Sequence, residues 1–397
     1  MKQIYLVILV SFILFVSCGQ NSKKTKSISI LEVEEIISKS KLGELLFNDT
    51  KLSINGTMAC ATCHKEQKVF LDDRSSFVNH MAAISADTKF IGDRNVPSLS
   101  YAFLIPKFDS IFEDGERLYT GGFFLDGRSF TLSEQAKEPF VNPIEMQLPN
   151  AQKVVEIVKG NNSYAQAFNK FYKLTEKSSS EEYYDAISNA ISTFEQSAIF
   201  APFDSKYDRN LTGNYTFTEE EKRGLEIFKD ESKANCIACH PISNSKAVFT
   251  DYTYDNLGVP KNTDLRSKNK LDSNFIDHGL LDNPLVSDTA FDGNFRVSSL
   301  RNIAVTSPYM HNGYFKALKT VIHFYNTRDV EGAISPETGK PWKVAEVPNT
   351  VNKEEMGDLK LSEQEENDLV SFLKTLTDKK YENKLKDNKN AYFSIVQ

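Results

Sequence analysis

The sequence predicts a mainly α-helical chain of two like domains, with long loops wrapped around a group that helps fill each core. Three observations predict it. Apolar residues recur at helical spacing in several segments, and no sustained alternation argues for a large sheet. A diverged repeat occurs twice: Lys41-Leu42-Gly43-Glu44-Leu45-Leu46-Phe47-Asn48-Asp49 and Lys222-Arg223-Gly224-Leu225-Glu226-Ile227-Phe228-Lys229-Asp230 both read G-x-x-x-F-x-D. Shortly after each comes a C-x-x-C-H motif, Cys60-Ala61-Thr62-Cys63-His64 and Cys236-Ile237-Ala238-Cys239-His240.

C-x-x-C-H is the signature of c-type haem attachment. Its two thiols add across the haem vinyl groups, and the adjacent histidine is held under the iron as its proximal ligand. The motifs use four of the five cysteines. A zinc ribbon brings its cysteine pairs within ~15–20 residues of each other, whereas here most of a domain separates them. A thioredoxin-like site needs one pair in a βαβ setting and no trailing histidine, and a C-x-x-C loop is a poor disulfide staple. The cofactors expected are therefore two covalently bound haem c groups, and the fold is two cytochrome c-like haem domains with long haem-wrapping loops.

The elements follow in chain order. Residues 4–17, behind Lys2, form the one long apolar run, too short to span a bilayer comfortably and suited to a secretory signal. Ser17-Cys18-Gly19 then reads as a lipoprotein-type signal over 1–18, although Phe15 stands where that pattern usually has leucine. Ordinary cleavage nearby is the alternative. Both readings put the mature chain outside the cytoplasm, in the periplasm where c-type haem is attached, the first through a lipid anchor on Cys18. Residues 19–30 read as a polar tether. The N-terminal haem domain is expected over 31–212, with helices leading into the first haem motif, after Pro149-Asn150 and across 181–199. Long irregular stretches (48–130 and 229–310) are rare in compact domains unless something fills the core. Residues 201–216 lack a helical period and read as the linker. The C-terminal haem domain spans 213–380. Thr218 and Glu221 form a capping box at the helix before its haem motif, and Ser362 and Glu365 form another ahead of Leu369, Phe372, Leu373 and Leu376. Residues 381–397 form a charged tail. A net charge of -7 argues against nucleic-acid binding.

Beyond the haem motifs come Phe124-Leu125-Asp126-Gly127-Arg128, Leu132-Ser133-Glu134-Gln135-Ala136 and Asn142-Pro143-Ile144-Glu145-Met146. Further on are Phe194-Glu195 with Phe203-Asp204, Arg296-Val297-Ser298-Ser299-Leu300-Arg301-Asn302 and Pro308-Tyr309-Met310-His311-Asn312-Gly313. In this order, from about residue 33 to 377, the chain resembles the bacterial di-haem cytochrome c peroxidase family, which includes the MauG-type di-haem oxidases. The resemblance implies a peroxide-reacting haem in the first domain and an electron-receiving haem in the second.

Peroxide cleavage needs an open iron face and a group that moves a proton between the peroxide oxygens. A carboxylate buried beside a haem has a raised pKa and can do so. Glu145 matches the family's catalytic glutamate and Gln135 the glutamine of the same pocket. His80 matches a histidine that caps the peroxide-reacting iron until the other haem is reduced; MauG-type oxidases lack that cap. For the second haem, Tyr325 stands where the peroxidases commonly use methionine, an arrangement that looks MauG-type, with Met310 and His323 as alternatives. A phenolate there would stabilise ferric iron and lower the potential. Leu125 replaces the tryptophan that the family usually has before D-G-R, and the single tryptophan, Trp342, does not match it. Leucine cannot carry a hole between the haems. Asn95, Thr306 and Pro308 match an inter-domain calcium site. Arg296, Arg301 and His311 are expected at haem propionates.

The leading expectation is a di-haem cytochrome c peroxidase that reduces hydrogen peroxide to water with electrons from a small donor protein, a cytochrome c or a copper protein. Family members are often dimers, so a homodimer is expected. The rivals are a MauG-like oxidase acting on a protein or organic substrate and a non-catalytic electron-transfer protein.

Overall fold

The computed structural model describes residues 36–387 apart from 75–79, 114, 244 and 273. The expected signal, tether and Cys18 anchor lie outside the described residues. So does the tail beyond 387.

The first haem motif forms a single turn, α2 (Cys60–Cys63), behind α1 (Lys39–Phe47). After a long irregular stretch come two short helices, α3 (Leu132–Gln135) and α4 (Glu138–Val141). Three longer ones follow: α5 (Ala151–Lys159), α6 (Asn162–Tyr172) and α7 (Ser180–Glu195). The second half contains α8 (Lys206–Leu211), α9 (Glu219–Lys229), α10 (Thr263–Asn269), α11 (Leu318–Thr327), α12 (Glu363–Lys374) and α13 (Lys384–Asp387). The described strands make two small antiparallel pairs. One joins β1 (Asp109–Glu113) to β2 (Glu116–Thr120), the other β3 (Tyr254–Asp255) to β4 (Phe295–Arg296). The capping boxes at Thr218 and Ser362 form as expected, and Ser179 with Glu182 caps α7 in the same way.

The repeated G-x-x-x-F explains itself in the packing. Gly43 on α1 lies against α7, where a Cβ would stand 1.9 Å from the Ala190 carbonyl oxygen. Gly224 on α9 lies against α12, where a Cβ would stand 2.0 Å from the Asp368 carbonyl oxygen. Each glycine lets two helix backbones touch. The repeat's phenylalanine then seals the crossing: Phe47 meets Phe194 edge-on with ring centroids 5.3 Å apart, and Phe228 meets Phe372 at 5.1 Å. Two apolar cores form around these crossings, one from residues between 36 and 200 and the other between 207 and 376.

One expectation is corrected. The segment read as a linker over 201–216 contains α8, because Ser205 and Asp208 make a capping box and Tyr207 is buried against Phe249 and Phe372. The charged tail begins on an anchor. Tyr381 is buried, and its hydroxyl donates to the Glu66 carbonyl at 2.8 Å. Buried polar contacts tie the halves together. Arg94 reaches Asp126 at 2.5 Å and Asp277 at 2.6 Å, and Tyr101 donates to Asp378 at 2.6 Å. Among the described residues no helix is long and apolar enough to cross a membrane.

Candidate haem sites

Both motif histidines are held the same way. His64 Nδ1 lies 3.0 Å from the Phe70 carbonyl oxygen, and His240 Nδ1 lies 2.7 Å from that of Phe249. A carbonyl only accepts, so each Nδ1 carries the hydrogen and each Nε2 keeps its lone pair for a metal. Burial lowers both pKa values, that of His240 to about 4, so both rings are neutral ligands at pH 7. The partner carbonyls belong to residues in left-handed backbone, at φ 57 for Phe70 and φ 53 for Phe249. Nothing in the sequence pattern marked those residues.

Around His240 the structure forms a cavity of about 330 Å³, lined by Cys236, Cys239, His240, Tyr325, Met310 and Arg296. A pocket of that size suits a cofactor, and a largely apolar wall with Arg296 and His311 in it fits an iron porphyrin with acidic side arms. Buried Arg296 donates to the Phe124 carbonyl at 3.3 Å. His311 stacks on Phe295 with centroids 3.7 Å apart, and its Nε2 is buried without a partner. Arg301 also lines the cavity, but its guanidinium is taken up by Asp208 at 2.6 and 2.9 Å. Tyr325 reaches the cavity from α11, and burial raises the pKa of its phenol, with the neighbouring Cys239 and Asp255 adding to the effect. Burial and the Asp255 carboxylate oppose a phenolate, so an iron ion would have to supply the charge that ionises it. His323 does not line this cavity; its Nδ1 is bound to Glu366 at 2.7 Å. Leu125 lies in the wall, and its carbonyl accepts from the Arg296 amide at 2.9 Å.

At the first site Glu145 comes near the haem cysteines. The backbone of Glu145 and Met146 is pinned by amides from Ala86 (2.8 Å) and Ile54 (2.9 Å), which bracket the haem motif in sequence. Glu145 accepts a hydrogen bond from Asn142 Nδ2 at 2.9 Å. Burial pushes its carboxyl up to about 7 against the lowering effect of Arg128. It acts electrostatically on both Cys60 and Cys63. Gln135, half-buried, ends α3 ten residues before it in sequence. Arg74 donates to Cys63 Sγ at 3.1 Å while paired with Asp72 at 2.7 Å, contacts the motifs did not announce. Buried Glu195, at the end of α7, also faces Cys60 electrostatically. His80 stands on the exterior, at φ 58. Its neighbour Met81 packs instead on the second half, where its sulfur accepts from Asn262 at 3.0 Å.

The residues matched to a calcium site converge in part. Asn95 Nδ2 donates to the Pro308 carbonyl at 2.7 Å, and Thr306 lines the same cavity. A hard cation fits this set only with the amide turned over, so that its oxygen replaces its nitrogen.

Comparison with known proteins gives a consistent result. A family model described as di-haem cytochrome c peroxidase matches residues 37–216. The methylamine utilization protein MauG of Paracoccus denitrificans is 38% identical over 358 residues, covering 88% of this chain and 91% of that protein. A cytochrome c551 peroxidase of Pseudomonas aeruginosa is 28% identical, covering 75% of this chain and 74% of its own length. A diheme peroxidase from Burkholderia thailandensis superposes with a TM-score of 0.78 at 28% identity, over 88% of each chain. The chain thus belongs to the di-haem cytochrome c peroxidase family, which takes in the MauG proteins, and membership makes it an oxidoreductase whose family implies two haem c groups.

Proposed function

We propose that the chain reduces hydrogen peroxide at the haem held by Cys60, Cys63 and His64, and that the haem on Cys236, Cys239 and His240 passes electrons to it. The observation that carries this reading is Glu145: a carboxyl raised to about 7 by burial and fixed on a pinned turn beside the first haem cysteines. A group that titrates near the working pH is suited to take a proton from one peroxide oxygen and return it to the other. Gln135 serves as the neighbouring hydrogen-bonding group, and Arg296 and His311 as propionate partners.

Tyr325 favours a MauG-like version of this chemistry over a donor-fed cytochrome c peroxidase. The phenol lies in the same cavity wall as Cys236, Cys239 and His240, where it would serve as a further ligand to the second haem and favour its ferric state. Exposed His80 gives no support to a cap on the first iron in the resting protein. In this reading the oxidised protein reacts with peroxide directly and spends the oxidising equivalents on a protein or organic substrate. The donor-fed alternative draws electrons from a cytochrome c or a copper protein. A periplasmic setting, a Cys18 lipid anchor, a homodimer and a calcium ion at Asn95, Thr306 and Pro308 remain part of the proposal.

Stopped-flow mixing of peroxide with the oxidised and the half-reduced holoprotein separates the two versions. Similar rates for both forms are expected. Fast reaction of the half-reduced form alone would return the function to a His80-gated peroxidase. Tyr325→Phe is expected to change the low-spin spectrum of the second haem, and an unchanged spectrum removes Tyr325 as its ligand.

A further inference from the structure

The internal duplication can be read to single-residue register. The missing Cβ of Gly43 points at the Ala190 carbonyl and at Cβ of Phe194, while that of Gly224 points at the Asp368 carbonyl and at Cβ of Phe372. Ala190 therefore corresponds to Asp368 and Phe194 to Phe372. The next residue in each helix makes a pair of unlike chemistry, Glu195 in α7 and Leu373 in α12.

Leu373 is buried and lines the second haem cavity, together with Leu369. By the duplication, Glu195 looks into the first haem site from the corresponding position. Two further observations accord with that position. Glu195 is the foremost charged neighbour acting on Cys60, ahead of Glu145. It is also only 5% exposed, and its Oε2 is buried without a hydrogen-bond partner. A buried carboxyl with an unpartnered oxygen is expensive as an anion, and the fold keeps one where the sister domain has a leucine.

We propose that Glu195 is a redox-linked proton site of the first haem. When that haem gains one electron from the donor, the Glu195 carboxylate takes one proton from solvent; when the electron leaves, the proton is released. The physical reason is charge compensation across a low-dielectric gap: the extra positive charge of the oxidised haem favours the carboxylate, and its loss favours the acid. Burial pushes the Glu195 carboxyl up to about 8, so the exchange falls in an accessible pH range. The neighbouring helices do not neutralise it. On α1, Lys41 pairs with Glu44 at 3.1 Å; on α5, Lys153 pairs with Glu156 at 3.2 Å; on α3, Glu134 caps its own helix through the Thr131 amide. At the site itself the other ionisable groups are His64, Glu145 with Arg128 acting on it, and Arg74, which is already paired with Asp72 beside Cys63. The inference requires a haem on Cys60 and Cys63 but no particular peroxide chemistry.

The test is spectroelectrochemical titration of the full-length holoprotein from pH 6 to 10, following the two haems separately; the second is identified by its response to Tyr325→Phe. The first haem's reduction equilibrium should fall with rising pH by up to tenfold per unit, which is 59 mV for one electron. Glu195→Gln should flatten that dependence at the wild-type acidic limit. Glu195→Leu, the side chain the fold already accommodates at the sister position, should flatten it too while keeping two haems per chain. A slope that survives in either variant overturns the proposal. So does a slope that vanishes in Glu145→Gln but not in Glu195→Gln, or one confined to the second haem. Peroxide turnover can fail in any of these proteins without touching this readout.

Discussion

The sharpest consequence of the first site concerns Glu145 and the rate at which the oxidised protein reacts with peroxide. If the carboxylate is the proton acceptor, the second-order rate constant follows its ionised fraction. With a pKa of about 7, that fraction rises roughly tenfold between pH 6 and pH 8. Glu145→Gln keeps the shape, removes the base and should lower the rate by about 10²–10⁴ while erasing the inflection. The structure also supplies a subtler perturbation. Asn142 donates to Glu145 Oε1 at 2.9 Å, which stabilises the charged form. Losing a hydrogen bond to a charged group costs about 1.5 kcal/mol, or about one pKa unit. Asn142→Ala should therefore move the inflection up by about one unit and slow the reaction at pH 7 about fivefold, with the rate at pH 9 nearly restored. Stopped-flow spectra of the first haem across pH 5–9 measure both effects. A Gln variant within threefold of wild type, or an Asn142→Ala profile shifted downward, would refute the assignment.

Three further outcomes follow from the frame that holds the sites. Gly224→Ala puts a Cβ 2.0 Å from the Asp368 carbonyl oxygen, which should cost about 1–3 kcal/mol by overpacking and outweigh ~1 kcal/mol of helix propensity; denaturant unfolding checks it, and a neutral or stabilising result contradicts the close crossing. Arg301 depresses the pKa of Asp208, so this pair contributes stability that is fully present above the unfolded carboxyl value of 3.8 and is lost as pH falls through the folded value. Arg301→Met leaves Asp208 half-buried and unpaired and should lower stability by about 3 kcal/mol at pH 7, with a smaller difference at pH 3; a difference independent of pH would rule the pair out as the cause. Titration of chelated protein with calcium should give one site that is lost in Asn95→Ala, and binding unchanged by that substitution moves the cation elsewhere.

Local chemistry was legible where one residue decides the outcome. Thr218 with Glu221 and Ser362 with Glu365 announced two helix starts, and both form. The haem motifs gave the histidines. The sequence did not reveal which carbonyls would orient them, because Phe70 and Phe249 contribute only backbone and are fixed by the loop path around the haem. α8 was invisible for a related reason. Six residues carry too little periodicity, and the helix stands because Tyr207 is buried and Arg301, distant in sequence, reaches Asp208. His80 is placed by its neighbour. Its matched position suggested an iron ligand, yet its neighbour Met81 is drawn into the second half by Asn262 and Gly313, which leaves His80 exposed.

The duplication bears on why one chain carries two unlike haem sites. The frame is common to both: a glycine crossing, a sealing phenylalanine pair and a histidine oriented by a phenylalanine carbonyl. A shared frame would offer each haem a histidine oriented in the same way, so any difference in reactivity has to come from what each half adds to it. The first half adds carboxyls that burial keeps near neutrality, Glu145 and Glu195. The second adds a leucine where Glu195 stands and a phenol within reach of the cavity. Ionisable groups that titrate near pH 7–8 suit a site that must exchange protons with its substrate, while an apolar wall and a filled sixth position suit one that exchanges only electrons. With Leu125 rather than an aromatic ring in the wall facing the second haem, the path between the two has no side chain there to hold a hole. Charge then crosses in one step, through backbone such as the Arg296–Leu125 hydrogen bond, or by way of another ring such as Phe124 or Tyr119. Leu125→Trp should therefore speed electron equilibration between the haems without altering the pH profile set by Glu145. Flash-photolysis rates that do not change would mean that electrons already bypass this wall.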